Sequence, residues 1–276
     1  MSISIGWLSK QFPDLQGLEL IGRGGQKVAY GCQHLALGRC VLKVLAIGTN
    51  RVMREIEAVS CISGANVPQI HESGSADSDV GPVLWLLEQY VDGTSLAGLL
   101  GRGPLSKGLV LRVAEDITAA AAAAEAVKVV HRDIKPDNVI VQCDGSAWLL
   151  DFGIARVLDL DSLTATSAPR GPHTPGYGAP EQFRYRKRDI DGRADLFAIG
   201  VLMCEMATGV NPLRDGTSDP EEMRRRTETL LPLRPEAAWD TDGRLRDFVT
   251  AATQRYPHQR PPNCAYALAW VRELAH

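Results

Sequence analysis

The sequence lacks an excess of charge of either sign. Its 276 residues include 30 Lys and Arg against 33 Asp and Glu, so the formal net charge is -3. Nucleic acids and anionic membrane surfaces are bound by clustered positive charge, and a nearly balanced chain gives no sign of either. We therefore predict no nucleic acid and no membrane among its partners. Nothing in the sequence specifies an oligomeric state.

Long apolar runs are also absent. No window approaches the run of about 18 apolar residues that a membrane-spanning helix needs. Residues 1–7 carry neither a basic flank nor a long apolar core, so they do not resemble a secretory signal. What remains is an ordinary globular composition, 45% apolar and 23% charged, at a length that supports one large or two small cores.

Cysteines are few, and their spacing is not that of a paired set. The six are dispersed without a Cys-x-x-Cys pair, at positions 32, 40, 61, 143, 204 and 264. Zinc sites and disulfide frameworks typically show closer, paired spacings. Free thiols in a reducing compartment are the simpler interpretation, which predicts a cytoplasmic protein.

The strongest pattern is a group of polar residues near the middle of the chain. Residues 131–138 read His-Arg-Asp-Ile-Lys-Pro-Asp-Asn, and Asp151-Phe152-Gly153 begins thirteen residues after Asn138. Two apolar, β-compatible runs follow Asn138 and flank Asp144-Gly145, which is a hairpin turn signal. The hairpin would hold Asn138 at its entrance and Asp151 at its exit, so both side chains could face one cleft.

This pattern resembles the catalytic loop and metal-binding triplet of the eukaryotic-type (Hanks-type) serine/threonine protein kinases, most like the bacterial members. The resemblance implies that Asp133 accepts the proton of a substrate hydroxyl and that Lys135 helps to hold the charge of the transferring phosphate. It implies that Asn138 and Asp151 are the metal ligands, through their oxygens. The implied cofactors are ATP and Mg2+, and Lys135 favours Ser or Thr over Tyr as the acceptor.

A glycine-rich segment near the N-terminus resembles the phosphate-binding loop of the same family. The resemblance implies nucleotide contacts at four residues of this segment, Gly22, Gly24, Gly25 and Val28. Glycine has no Cβ, so backbone amides in such a loop can approach phosphates closely. The third glycine of the family falls on Lys27, whose ammonium either contacts phosphate or lies in solvent.

Lys43 lies in an apolar run and resembles the strand lysine that binds ATP phosphates and a helix carboxylate. An ammonium buried without an anionic partner is costly, so Lys43 requires such partners. A helix is predicted to begin at Arg54, and Glu55 resembles the carboxylate that pairs with Lys43. Glu57, which points to a different helix face, is the alternative.

Residues 82–93 resemble the strand that leads into the hinge between two lobes. The resemblance implies nucleotide contacts at four consecutive residues, Gln89, Tyr90, Val91 and Asp92, with the backbone of Tyr90 and Val91 binding adenine. Glu88 departs from the family, which usually has an apolar residue or threonine behind the adenine. A carboxylate there must be paired, exposed or protonated.

Residues 158–171 resemble a kinase activation segment, which ends at Ala179-Pro180-Glu181. The segment is polar and holds four hydroxyl residues, Ser162, Thr164, Thr166 and Ser167. Arg132 is the arginine that the family places beside the catalytic aspartate, and an arginine fork pairs with phosphate in two parallel hydrogen bonds. We predict autophosphorylation in this segment; the alternative is that these side chains are only solvated.

Other residues carry structural expectations. Asp195 resembles the aspartate that holds the catalytic-loop backbone, and it lies in an apolar run, 194–209, that predicts a buried helix. A second buried helix is predicted over 106–126. Arg260 resembles the arginine that pairs with Glu181.

The predicted fold is α+β: a two-lobed protein-kinase fold with a small antiparallel β-sheet lobe carrying one helix, at 1–91, and a larger, mainly helical lobe, at 92–276. ATP would lie between them. The predicted function is transfer of the ATP γ-phosphate to Ser or Thr of a protein substrate.

Two other classes of function remain open. One is a pseudokinase that acts as a nucleotide- or protein-binding scaffold, which the presence of Lys43, Asp133 and Asp151 opposes. The other is a small-molecule phosphotransferase of the aminoglycoside-kinase type. The Ala-Pro-Glu segment and the Arg260-Pro261 pair oppose it, because those enzymes usually lack both.

Overall fold

The computed structural model describes residues 3–24, 27–46, 50–62, 64–152, 174–183 and 190–275. These residues form two compact units. The first, here called the sheet unit, contains the described residues up to 62 and those at 68–91. The second, the helical unit, contains 64–67 and the described residues from 92 onward.

The sheet unit is built on five antiparallel strands. They are β1 (Leu15–Arg23), β2 (Lys27–His34), β3 (Gly38–Ala46), β4 (Ile70–Ser78) and β5 (Gly81–Gln89), in the spatial order β1-β2-β3-β5-β4. Strand β2 follows the glycine-rich segment directly. Central strands β3 and β5 pair over Cys40–Ala46 and Val83–Gln89, so residues far apart in sequence become direct neighbours.

Two helices belong to the sheet unit, α1 (Ile5–Gln11) and α2 (Asn50–Ser60), where the sequence predicted one. Ser4 caps α1 by accepting a hydrogen bond from the Trp7 N–H, at 3.2 Å. A helix of 7 residues is too short for its apolar period to stand out. The predicted start of α2 at Arg54 is also wrong, because Val52 extends its buried apolar face one turn earlier.

Both faces of the sheet are covered by apolar side chains. Because side chains alternate along a strand, Leu42 and Val44 of β3 lie on one face and Lys43 on the other. The first face packs into a cluster that includes Leu8 and Phe12, from α1 and its C-terminal end. The opposite face, which carries Lys43, has a second cluster that joins Leu45, Leu84 and Leu86 to Val52 and Ile56 of α2.

The helical unit contains most of the described helices. They are α3 (Leu96–Leu100), α4 (Lys107–Ala126), α5 (Pro180–Phe183), α6 (Arg193–Thr208), α7 (Pro220–Thr229), α8 (Arg244–Ala252) and α9 (Cys264–Glu273). The helices predicted over 106–126 and 194–209 are confirmed as α4 and α6. Nearly every residue of α6 is buried, and Gly209, at φ +77°, ends it in the left-handed region that glycine tolerates best.

A small second sheet carries the central motif. It consists of β6 (Thr94–Ser95), β7 (Val139–Val141) and β8 (Ala147–Leu149), in that order. The predicted hairpin is confirmed as β7 and β8, and the Leu150 N–H donates to the Asn138 carbonyl at 2.8 Å across its open end. The predicted α+β class is thus confirmed.

None of the described helices is both long enough and apolar enough to cross a membrane.

Candidate active site

The catalytic loop of the helical unit brings four polar side chains together. Thr174 Oγ1 donates to Asp133 Oδ1 at 2.6 Å. Lys135 Nζ lies 3.3 Å from Asp133 Oδ2 and 3.4 Å from Thr174 Oγ1. Asn138 Nδ2 lies 3.3 Å from Asp133 Oδ2 and donates to the Asp133 carbonyl at 2.8 Å. Asp133 is therefore a carboxylate that already accepts a hydroxyl proton donor, held between an ammonium and an amide.

Asn138 and Asp151 are suited to hold Mg2+. Asn138 Nδ2 donates to the Asp133 carbonyl. The other atom of the amide, Asn138 Oδ1, is an oxygen and can ligate a cation. Among the residues that the structure describes, no group of three or more His, Cys, Asp or Glu side chains could hold a metal alone. Mg2+ usually keeps several waters and is bound through one or two protein oxygens plus phosphates, so this donor set fits it.

Asp195 holds the backbone that leads into Asp133. Its Oδ2 accepts the N–H of His131 and its Oδ1 accepts the N–H of Arg132, each at 2.7 Å. Burial raises the pKa of Asp195 to about 7, and the two backbone hydrogen bonds act in the opposite direction. The predicted role of Asp195 as a backbone anchor is confirmed.

Replacing Asp195 with Asn should therefore destabilise the fold by about 1–3 kcal/mol, because an amide nitrogen cannot accept and one buried N–H loses its partner. Asp247→Asn is the matched control, since Asp247 also lies in the first turn of a helix but is exposed. Chemical denaturation of both variants measures the difference. Equal, small losses in the two would show that Asp195 is an ordinary helix-terminal carboxylate.

Two residues of the site have backbone conformations that only glycine adopts easily. Arg132 has φ +64° and Asp151 has φ +59°. Gln182 Nε2 donates to the Arg132 carbonyl at 3.0 Å, and the His131 ring packs on Phe152 at a centroid distance of 4.7 Å. Such conformations persist when their surroundings hold them. The sequence indicated no contact for Gln182, which is 50 positions from Arg132.

The end of the activation segment is fixed by a buried ion pair. Arg260 donates from Nη1 to Glu181 Oε1 at 2.7 Å and from Nη2 to Glu181 Oε2 at 2.9 Å. Arg260 also donates to the carbonyls of Arg193 and Gln254. The predicted pairing of Arg260 with Glu181 is confirmed, and it links α5 to α6.

A polar cavity of about 520 Å3 lies in the helical unit next to the catalytic loop. Its lining includes Asp137, Tyr177, Glu205 and Arg214. Tyr177 donates to Glu205 at 2.6 Å, and burial raises the pKa of Glu205. The cavity is large enough for an amino-acid side chain. One of its lining residues, Asp137, directly precedes Asn138 in the sequence.

In the sheet unit, Lys43 is 7% exposed and forms an ion pair with Glu88, which is also 7% exposed. Lys43 thus has the anionic contact that the sequence required, and Glu88 is paired and buried. The sequence analysis did not predict that Lys43 contacts Glu88. The contact follows from the pairing of β3 with β5. The side chain of Glu55 lies outside the described residues, so its pairing with Lys43, and the choice against Glu57, stay predictions.

The described part of the glycine-rich segment makes a tight connection. Gly22 pairs with Ala29 across β1 and β2, and the Gly24 N–H donates to the Lys27 carbonyl at 2.7 Å. Gly25 lies outside the described residues. The roles of Gly22 and Gly24 at phosphate stay predictions.

The strand register places Val28 and Ala29 on opposite faces of the sheet. Val28 pairs with Val44, is fully buried, and belongs to the cluster on the α1 side of the sheet. Ala29 pairs with Lys43 and therefore lies on the face that carries the ammonium. The nucleotide contact predicted for Val28 stays a prediction.

The hinge residues are partly engaged by the sheet unit. The Gln89 N–H donates to the Gln69 carbonyl at 2.8 Å, and the Tyr90 N–H donates to the Arg39 carbonyl at 3.4 Å. The Arg39 guanidinium also lies 3.8 Å from the centre of the Tyr90 ring. The predicted contact of the Tyr90 backbone with adenine stays a prediction. The predicted roles of Gln89, Val91 and Asp92 remain predictions.

Comparison with known proteins agrees with these features. A sequence profile of the protein kinase domain matches residues 15–269, and the chain belongs to that family. It is 33% identical over 223 residues to the serine/threonine-protein kinase PknD of Mycobacterium tuberculosis, covering 78% of this chain and 32% of PknD.

Two relatives from Myxococcus xanthus show the same relationship. Identity to the serine/threonine-protein kinase Pkn1 is 36% over 207 residues, 71% of this chain and 29% of Pkn1. Identity to the serine/threonine-protein kinase pkn3 is 31% over 273 residues, 92% of this chain and 48% of pkn3. The chain therefore spans about a third to a half of the length of these relatives.

Proposed function

We propose that this chain transfers the γ-phosphate of ATP to Ser or Thr hydroxyls of a protein substrate. One observation carries the proposal: the Thr174 hydroxyl donates to Asp133 at 2.6 Å, with Lys135 within 3.4 Å of the same hydroxyl oxygen. An aliphatic hydroxyl thus fits against a carboxylate that could accept its proton, beside a cation that could hold phosphate charge.

The remaining residues have defined roles in this proposal. Asn138 and Asp151 hold Mg2+, which when bound neutralises charge on the transferring phosphate. Lys43 binds the phosphates in the sheet unit, and Gly22, Gly24 and Gly25 bring backbone amides to them. The proposal assigns 1–91 to nucleotide binding and 92–276 to catalysis and substrate binding.

The substrate is proposed to be a protein, and the cavity beside Asp137 supports this. It offers a polar site for a neighbouring side chain of a peptide, within the same unit as Asp133. The relatives from Mycobacterium and Myxococcus are all named as serine/threonine-protein kinases. A cytoplasmic location is also proposed, since all six cysteines are free thiols.

Phosphoamino acid analysis tests the acceptor. The purified protein is incubated with γ-labelled ATP, Mg2+ and an arrayed set of peptides that carry Ser, Thr or Tyr. We expect label on Ser and Thr. Label confined to Tyr, or to an aminoglycoside added in place of the peptides, would overturn the proposal.

We further propose that the activation segment is regulated by phosphorylation. Arg132 supports this, because within the described part of the chain its buried Nε has no hydrogen-bond partner. A phosphate dianion would supply acceptors to such a guanidinium. The hydroxyl residues in question, Ser162, Thr164, Thr166 and Ser167, lie outside the described residues.

We expect the wild-type protein to phosphorylate itself between 158 and 171, at Thr164 or Thr166. Phosphatase treatment should lower its activity, and replacing all four hydroxyl residues with Ala should have the same effect, because Arg132 then lacks its anion. Peptide mass spectrometry maps the phosphate. A fully active fourfold variant, together with no phosphate in this segment of an active preparation, would contradict the prediction.

A further inference from the structure

Lys43 and Glu88 form a buried ion pair inside the sheet unit. Their side chains are only 9% and 10% exposed. Charged groups are rarely buried to this extent unless they are paired, because each loses its hydration. The burial of Glu88 therefore indicates that its contact with Lys43 has a function.

The strand register explains how the two side chains meet. Lys43 pairs directly with Leu86, and Glu88 pairs directly with Val41, so the ion pair runs diagonally across β3 and β5. Directly opposed residues share a face, and residues two apart on a strand do as well. Lys43 and Glu88 are consequently on one face, and the geometry needs no movement of a helix.

Glu88 is held in place from both sides. Its strand pairs with β3 at Val41 and with β4 at Ile70, so its backbone lies in the interior of the sheet. The direct strand neighbours of Lys43 on this face, Ala29 and Leu86, are apolar and buried. A carboxylate in contact with a lysine favours the charged form of that lysine, and water screens a buried pair less than an exposed one.

We propose that Glu88 is a positioning residue for Lys43, which it keeps charged and directed across the sheet before nucleotide binds. An ammonium has three N–H donors, so one can remain with Glu88 while others reach phosphate. The carboxylate acts from a strand and not from α2, so the charge of Lys43 does not depend on how α2 is placed. The catalytic importance of this contact rests on the proposed function. The labelling test below does not, because it measures Lys43 without nucleotide.

The test measures how much of Lys43 is in the neutral, reactive form. The folded protein is treated with limiting acetic anhydride, and acetylation of Lys43 is compared by mass spectrometry with that of Lys128, an exposed internal reference. Only a neutral amine reacts. In Glu88→Gln, acetylation of Lys43 should be about tenfold faster or more, because one unit of altered proton affinity changes the neutral fraction tenfold.

Two control variants separate Glu88 from other carboxylates. Glu72→Gln removes an exposed carboxylate from β4 that pairs with Leu87, on the opposite face of the sheet, and should leave both labelling and turnover unchanged. Glu55→Gln removes the predicted helix partner and should raise labelling less than Glu88→Gln does. If Glu55→Gln raises it and Glu88→Gln does not, the helix carboxylate holds Lys43 and the proposal is wrong.

A second measurement covers the case in which Glu88→Gln does not fold. The double variant Lys43→Met with Glu88→Leu replaces the pair with apolar side chains of similar size, which buried ion pairs tolerate. Its denaturation midpoint should be higher than that of either single variant. A double variant no more stable than the worse single variant would show that the two side chains are not coupled.

Nucleotide supplies a separate readout for the proposed function. Mg2+ and ATP together should slow the acetylation of wild-type Lys43, and turnover at saturating ATP should fall in Glu88→Gln. Without protection by ATP, the assignment of Lys43 to nucleotide binding fails, while the labelling difference between Glu88→Gln and wild type still decides whether Glu88 positions Lys43.

Discussion

Asp133→Asn should slow phosphate transfer by on the order of a hundredfold or more. The amide has nearly the shape of the carboxylate, and it can still accept the hydrogen bond from Thr174 through its oxygen. It cannot take up the proton of a substrate hydroxyl, which is the step that the proposed function assigns to the carboxylate. The rate is measured with γ-labelled ATP and a Ser-containing protein substrate.

The matched control for this variant is Asp144→Asn, in the exposed turn of the hairpin between Asn138 and Asp151. It removes the same charge from a neighbouring position and should retain full activity. The loss in Asp133→Asn should appear in kcat, since the proton is transferred in the reaction itself. Comparable phosphorylation by wild type and Asp133→Asn would refute the assignment of Asp133.

Lys43→Met should nearly abolish turnover, with a loss on the order of a hundredfold or more, because under the proposed function the phosphates lose a cation that positions them. Methionine matches the length of the lysine stem, but the variant also leaves Glu88 buried without this partner. We therefore expect a folded protein with a lower denaturation midpoint. Combining Lys43→Met with Glu88→Leu should restore the midpoint while activity stays absent, which separates catalysis from folding.

The helix carboxylates give the comparison that checks the register of α2. Glu55→Gln should reduce turnover less than Lys43→Met does, since Lys43 keeps its ammonium and its contact with Glu88. Glu57→Gln should have no effect, because Glu57 is exposed. A greater loss in Glu57→Gln than in Glu55→Gln would mean that the predicted partner of Lys43 is the wrong residue.

The parts of the site that could be predicted from the sequence are those with short-range determinants. Asn138 and Asp151 are brought to one end of a hairpin by the turn at Asp144-Gly145, and the structure has that hairpin. The α6 helix follows from its apolar composition and ends at Gly209. The anchoring by Asp195 and the Glu181–Arg260 pair span long separations, and they were predicted only through the family resemblance.

What the sequence did not reveal depends on strand pairing. Glu88 meets Lys43 because β5 lies beside β3, and that order is set by packing of the whole sheet. The same register places Ala29, and not Val28, beside Lys43, because a change of one residue along a strand reverses the face. Helix α1 was missed because 7 residues around Leu8 have too little apolar pattern to be distinctive.

The most direct measurement is to incubate the purified wild-type protein and its Asp133→Asn variant with γ-labelled ATP and Mg2+, then map the phosphate in protein and substrate by mass spectrometry. Wild type should carry phosphate on Ser or Thr and transfer it to a protein substrate, with at most about a hundredth of that rate in the variant. No phosphate on either protein or substrate, or equal labelling by the two proteins, would contradict the central claim that this chain is a serine/threonine phosphotransferase whose base is Asp133.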